Sequence, residues 1–379
     1  MEEFESRKQK PKKKKSVGRV LLIILTCILG LIFALALTVF IYAYSKYSKL
    51  GEGAPEPIKE EEIYVNPEVK EKENQGKKPT SSPFDPTTPA QPTKSYTTIM
   101  LYGVDTFSNS ELSQWGNADS EIICCIDDET KAVKLISVLR DTFVETTTGK
   151  HNKLTDIYSA YGVKESLGTI NKCFDLQITK YASVNWRTIA KAVNALGGID
   201  LHLSSKEVDY IIAGKDGYSA RSGIKTGDLV NRGSDTYHLD GIQTLTHASN
   251  RTTGHHDLSR AERQRDILKA MLAAAKQCSF SELEDVIDAI LPGVSTNLDL
   301  TEILAMALDV TKYHIDDTTL FPFKYWDQSN LRTAYVYCNT LTSNVTELHE
   351  YQYGEVGYEP ANTVRRISDY IVDYRKEHP

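Results

Sequence analysis

The sequence predicts an α/β body, a mixed sheet covered by helices, preceded by one transmembrane helix. Three observations carry this. An uncharged apolar run, Val20–Ser45, is long enough to span a bilayer; a stretch rich in Pro, Glu and Lys follows it; and from about Tyr96 short strand-like runs alternate with segments of helical period. The formal net charge of −7 divides unevenly: residues 1–94 carry +4, which leaves −11 for residues 95–379. An acidic body excludes a general nucleic-acid binder, which shows an excess of Lys and Arg.

Residues 1–19 form a basic tail containing Arg7, Lys8, Lys10, Lys12–Lys15 and Arg19. The 26 residues of 20–45 give about 39 Å of helix, enough for a hydrocarbon core of about 30 Å with some tilt. A cleaved signal peptide has a shorter apolar region, and the small-residue spacing Ala34-Leu35-Ala36 lies mid-run, so an uncleaved anchor is expected. Basic residues dominate before the span, which places the N-terminus in the cytoplasm and everything beyond about residue 46 outside, at the cell membrane. Residues 46–94 hold 8 of the 13 prolines and almost no large apolar side chains. Such a segment reads as a stalk, because it buries too little surface to offset its ordering entropy.

The body spans 95–379. Thr98–Val104, Glu121–Ile126 and Ala132–Val138 read as strands, with Asp127–Thr130 turning between the last two. Strand-like Tyr181–Trp186 and Ile199–Leu203 flank a helix at Arg187–Leu196 that stops at Gly197-Gly198, a β-α-β unit. Helices are expected at Ser259–Gln277, Ser281–Leu291, Thr301–Tyr313 and Pro360–Tyr374; residues 214–236, with five glycines, read as a surface loop or flap. Cys124, Cys125, Cys173, Cys278 and Cys338 show no metal-binding spacing and read as buried thiols or at most one disulfide.

If the second and third strands form the hairpin their turn implies, the start of one and the end of the other share an edge, where the loop from the first strand also arrives. Asp105, Asp119, Arg140 and Asp141 then converge. Three carboxylates and a guanidinium suit a hard cation such as Mg²⁺ with a bound phosphate; a set of solvated turn residues is the alternative. Ser259 with Glu262 has capping-box spacing, and the apolar stripe Ile267, Leu268, Met271, Leu272, Ala275 continues back onto Gln264, Arg263 and Arg260. Two arginines on the buried side of a first turn are costly unless an anion meets them, and a helix N-terminus itself favours anions. Arg265 and Lys269 point elsewhere and read as surface charge.

The stretches LYGVDTF, NADSEI and KLISVLRDT, then YASVNWRTIAKAVNALGGIDL and YHLDGIQTLTHASNR with DLSRAERQRDIL, together resemble the LytR-CpsA-Psr family of bacterial cell-envelope proteins, most clearly over Tyr96–Gln277. The resemblance implies an α-β-α body outside the membrane. It also implies a phosphotransferase that moves a glycopolymer, such as teichoic acid or capsular polysaccharide, from an undecaprenyl-pyrophosphate carrier to peptidoglycan. Carried over, Asp105 and Asp119 are similar to the Mg²⁺-side carboxylates of the family, and Arg140, Arg251, Arg260 and Arg263 to its pyrophosphate clamp. Gln264 is similar to a polar partner there, and Asp141 to a residue that orients the arginine or serves as base.

Three positions depart from the family pattern. Phe107 stands where an arginine is usual, Thr155 where an asparagine follows the Lys-Leu pair, and Ser249 where the first arginine of an Arg-x-Arg pair is expected. Each lost charge-assisted contact is worth roughly 1.5–3 kcal/mol, so a module that binds polyprenyl phosphate or wall polymer without turnover is the alternative expectation. His247, His255 and His256 are the nearby candidates to supply replacement charge.

Overall fold

A computed structural model describes residues 44–45, 48–49, 56–76, 95–109, 112, 116–253, 256–327 and 335–377. All but the last two residues of the expected span at 20–45 lie outside these, and among the described residues no helix is long and apolar enough to cross a membrane. The described residues from Lys49 onward form one compact unit.

In chain order, helix α1 covers Pro67–Gly76, followed by β1 (Tyr96–Val104), β2 (Ala118–Asp127), β3 (Ala132–Val138), β4 (Phe143–Glu145) and β5 (His151–Lys153). Next come α2 (Leu154–Phe174), β6 (Lys180–Asn185), α3 (Trp186–Ala195), β7 (Ile199–Leu203), α4 (Ser205–Ser222), β8 (Asp235–Leu239), α5 (Gly241–Ala248) and α6 (His256–Ala275). The chain continues through α7 (Phe280–Ile290), β9 (Val294–Thr296), α8 (Leu300–Leu308), β10 (His314–Phe321), β11 (Tyr325–Asp327), β12 (Val336–Cys338), α9 (Leu341–Tyr353) and α10 (Asn362–Glu377).

The six-stranded sheet has the order β10-β3-β2-β1-β6-β9 and is mixed: β1–β2, β2–β3 and β6–β9 are antiparallel, β1–β6 and β3–β10 parallel. Alternation along the central strands serves two layers. Met100, Tyr102, Ile123 and Ile136 pack with Ile157, Tyr158, Leu167 and Phe174 of α2 and with Val364 and Ile367 of α10. Ile122, Ile126, Val133 and Leu135 face the other way, against Leu268 of α6. The body is thus an α-β-α sandwich, as the alternating pattern implies.

A separate apolar cluster supports the site from one side. It joins Trp186 and Val193 of α3, Leu201 of β7, Ile211 of α4, Tyr237 of β8, Leu245 of α5 and Ile267 of α6. The LDGIQ stretch has a physical reading here. The Asp240 carboxylate caps α5, accepting from the Ile242 and Gln243 N–H groups at 2.9 Å, and Gln243 accepts back from the Asp240 N–H at 3.1 Å. A Cβ on Gly241 would lie 2.0 Å from the Ala190 carbonyl oxygen, so only glycine lets α3 and α5 approach this closely.

Five expectations are corrected. Strand β7 does not join the main sheet as a β-α-β unit; it pairs antiparallel with β8 in its own ribbon. The glycine-rich stretch 214–236 is not one loop, since α4 runs through Gly214 and Gly217 to Ser222 and β8 begins at Asp235. Helix α6 begins at His256, before the Ser259 capping box, and Arg265 is buried (7% exposed) with its Nη1 donating to Ser137 Oγ at 2.9 Å. Part of the stalk, residues 56–76, lies on the body. Ile63, Val65 and Val69 are buried there, and the Glu68 carboxylate accepts from the N–H groups of Asn362 (3.0 Å) and Thr363 (3.1 Å) at the start of α10. Its few apolar side chains have no regular period, so nothing along the chain marks them as buried.

The five described cysteines are free thiols, and burial pushes the Cys124 thiol up to about 12 and that of Cys125 to about 11.

Candidate functional site

The β1–β2 register pairs Val104 with Ala118, and the Asp105 N–H donates to the Asn117 carbonyl at 2.9 Å, so Asp105 and Asp119 lie diagonally across one end of the ladder. The β2–β3 hairpin brings the end of β3 to the same edge. There Arg140 Nη1 donates to Asp119 Oδ1 at 2.5 Å. Arg251 Nη2 and Arg260 Nη1 reach Asp119 Oδ2 at 3.2 and 3.4 Å. Asp119 is 8% exposed and Arg260 3%, so a carboxylate and a guanidinium are buried together. Neither is tolerable alone at such burial, which ties the start of β2 to the first turns of α6. Three guanidiniums offer many more N–H donors than one carboxylate accepts. Three guanidiniums against one carboxylate also leave an excess of positive charge, which suits a ligand with several oxyanion oxygens.

Asp141 sits between Arg140 Nε (3.7 Å) and Lys153 Nζ (3.0 Å). The Thr155 N–H donates to the Arg140 carbonyl at 3.0 Å, so the residue in the family's asparagine position holds the arginine's backbone. Lys153, missed as a site residue, ends β5 and is the N-cap of α2, and the Lys-Leu pair is its signal.

Asp105 is exposed, and its Oδ1 accepts from the Trp186 indole Nε1–H at 2.5 Å. Trp186 was also missed. It follows β6 at the start of α3, and no spacing indicates that its ring edge meets the loop from β1.

Arg263 is not brought to Asp119. Its Nε donates to Glu207 Oε1 at 3.0 Å, Nη1 to the Asn250 carbonyl at 2.9 Å and Nη2 to the Thr253 carbonyl at 2.5 Å. It braces the 250–253 turn that carries Arg251. Gln264, one turn beyond Arg260, has its Nε2 donor buried without a hydrogen-bond partner among the described residues, a donor suited to a polar ligand. Ser249 closes α5, its Oγ donating to the Thr246 carbonyl at 2.9 Å, and Phe107 packs on the apolar cluster of Trp186.

Burial pushes the His247 imidazole down to about 4, so it is neutral near pH 7 and supplies no replacement charge. His255 and the side chain of His256 lie outside what is described. Glu121, two residues beyond Asp119 on the same face of β2, is 1% exposed with both oxygens lacking hydrogen-bond partners among the described residues. Burial raises its carboxyl well above the usual carboxylate range, more than Arg140 lowers it, which favours the neutral form over a second anion beside Asp119.

Fold and site together define a mixed α/β body with an arginine-ringed carboxylate at one sheet edge. The chain belongs to the LytR_cpsA_psr family, whose model matches residues 62–352. It is 28% identical over 291 residues, 75% of this chain and 82% of the relative, to the polyisoprenyl-teichoic acid–peptidoglycan teichoic acid transferase TagU of Bacillus cereus. It is 26% identical over 214 residues to the transferase of the same name from Enterococcus faecalis, covering 56% of this chain. That match spans 64% of the Enterococcus protein, and those to two further curated relatives span about half of their length. Among solved structures, the family protein YwtF (TagT) with bound octaprenyl pyrophosphate lipid shares the fold. The TM-score is 0.50 at 18% identity, over 72% of this chain and 95% of that one.

Proposed function

We propose that this chain is a cell-wall phosphotransferase that moves a glycopolymer from a polyprenyl-pyrophosphate carrier to a peptidoglycan hydroxyl. The single observation that supports it most is the convergence of Arg140, Arg251 and Arg260 on Asp119 at the sheet edge of a family member. The names of the transferase relatives and the octaprenyl pyrophosphate in the solved neighbour agree with it. In this reading the body works outside the membrane, held by the anchor at 20–45.

The chemistry is a displacement at phosphorus. The acceptor hydroxyl gives its proton to Asp141 and attacks the sugar-side phosphorus, the bridging P–O bond breaks, and polyprenyl monophosphate leaves with the negative charge that develops. Arg140, Arg251 and Arg260 stabilise that charge. Asp141, held by Lys153 and Arg140, orients the latter. Asp105 and Asp119 offer the hard oxygen donors that Mg²⁺ takes beside substrate phosphates, with one or two carboxylates sufficing. When bound there, the ion neutralises pyrophosphate charge.

The test uses the full chain in detergent with a polyprenyl-pyrophosphate-linked glycopolymer, peptidoglycan acceptor and Mg²⁺. Polyprenyl monophosphate should be released as polymer joins the acceptor, and a release rate equal to that without protein overturns the reading. Donor retained with no release would instead favour the non-catalytic module, which Phe107 and Ser249 motivate.

A second expectation concerns Trp186→Phe, which keeps an apolar ring and deletes the donor to Asp105. The Mg²⁺ concentration for half-maximal rate should rise about tenfold, since a hydrogen bond to a charged group is worth roughly 1.5–3 kcal/mol. An unchanged Mg²⁺ titration would show that the indole N–H does not set the carboxylate.

A further inference from the structure

Arg221 stands in the last turn of α4 and is exposed. Its Cζ lies 5.4 Å from the ring centroid of Phe107 and 4.5 Å from that of Tyr218. It stacks on these two rings, and among the described residues no carboxylate pairs with it. Several other arginines of the body pair with carboxylates: Arg140 with Asp119, Arg263 with Glu207, Arg366 with Glu145. Phe107 and Tyr218 both pack on the apolar cluster that contains Trp186, and Trp186 holds Asp105. Aromatic rings of one cluster thus connect a guanidinium with no acidic partner to the exposed carboxylate of the site.

Stacking a guanidinium on ring faces holds it by cation–π attraction and leaves its in-plane N–H groups able to donate. A side chain held this way loses less rotamer freedom when an oxyanion meets it. We propose that Arg221, seated on Phe107 and Tyr218, supplies a further guanidinium to the anion site on its Asp105 side and binds a phosphate oxyanion of the lipid-linked donor. The inference rests on the function proposed above. Position 107 is two residues from Asp105, so the stack delivers from α4 the charge that Phe107 itself lacks. The oxyanion belongs either to the pyrophosphate or to a phosphodiester of the polymer beyond it, and the two are separable by probe. A lesser role is also defined, since a cation in the last turn of α4 opposes the helix dipole and contributes stability only.

The experiment compares the full chain in detergent with Arg221→Ala, Arg221→Lys and the double variant Phe107→Arg/Arg221→Ala. One probe is octaprenyl pyrophosphate, read as Kd; the other is a phosphodiester-bearing lipid-linked glycopolymer, read as KM for transfer. Arg221→Ala should weaken at least one probe about tenfold or more, the loss expected for one charge-assisted contact. A loss on octaprenyl pyrophosphate assigns the pyrophosphate, and a loss confined to the polymer donor assigns its phosphodiester. Arg221→Lys should keep the unfolding midpoint but recover little affinity, whereas the double variant should regain most of it. Wild-type values for Arg221→Ala on both probes overturn the inference while leaving the proposed function standing. So does full recovery by Arg221→Lys in step with the unfolding midpoint. Failure of the wild-type chain to bind or turn over either probe overturns both.

Discussion

Arg140→Ala should lower the rate of polyprenyl monophosphate release by 10² to 10³-fold, the order found when one preorganised donor to a developing oxyanion is removed. Arg140 is held at three points. Its Nη1 meets Asp119 at 2.5 Å, Asp141 flanks its Nε at 3.7 Å, and the Thr155 N–H holds its carbonyl at 3.0 Å. Asp119 keeps Arg251 and Arg260 in the variant, so its charge stays compensated and the body should remain folded. The defect should fall on kcat as well as KM, because the charge that Arg140 meets grows in the transition state. Arg140→Lys should recover only part of the rate, having the charge without the planar fork. Release by Arg140→Ala at the wild-type rate, with intact unfolding behaviour, would remove the site from the proposed chemistry.

Glu145→Ala should cost about 3–5 kcal/mol of stability, the range for breaking a buried ion pair by deleting one partner. Glu145 is 3% exposed at the end of β4. It accepts from Lys172 Nζ of α2 at 2.8 Å and from Arg366 Nη1 and Nη2 of α10 at 2.8 and 2.6 Å. Lys172 is itself buried, at 7% exposed, so its ammonium is left without its counter-charge in the variant. Burial by itself raises the Glu145 carboxyl, but the hydrogen bonds from Arg366 and Lys172 outweigh it and hold the group down to about 2. A folded value below the unfolded one stabilises the protein above the unfolded value. The contribution is therefore complete above about pH 4.5 and is lost as pH falls toward 2. In guanidinium unfolding curves the gap between wild type and Glu145→Ala should be markedly smaller at pH 3 than at pH 7 and should close only as pH approaches 2. A constant gap between them would place the stabilisation elsewhere.

The first three strands and their shared edge are legible because they depend on local signals: alternation of apolar residues, and an Asp-Asp-Glu-Thr turn that sets the hairpin. From that hairpin the meeting of Asp119 and Arg140 follows without tertiary knowledge. Arg260 and Arg263 are likewise legible as buried, since the apolar stripe of their helix continues onto both. Their partners are not. Arg263 turns to Glu207, which lies on a helix whose glycines disguise it as a loop. Arg265 lies off that stripe, and nothing along the chain reveals the Ser137 hydroxyl on β3 that it meets. Strand β7 looked like a member of the main sheet because it follows a strand and a helix, but its pairing with β8 depends on a segment more than 30 residues away.

What the sequence determined by itself was the α-β-α plan, the family, and the placement of Asp105, Asp119, Arg140 and Asp141 at one sheet edge, because period, turn chemistry and motif order are properties of neighbouring residues. Only the tertiary structure decided which arginines reach Asp119, that Trp186 holds Asp105, that residues 56–76 dress the body, and that Arg221 comes to lie over Phe107. Those outcomes depend on side-chain direction between elements far apart in the chain, where a rotation of one helix by a single residue exchanges one guanidinium for another.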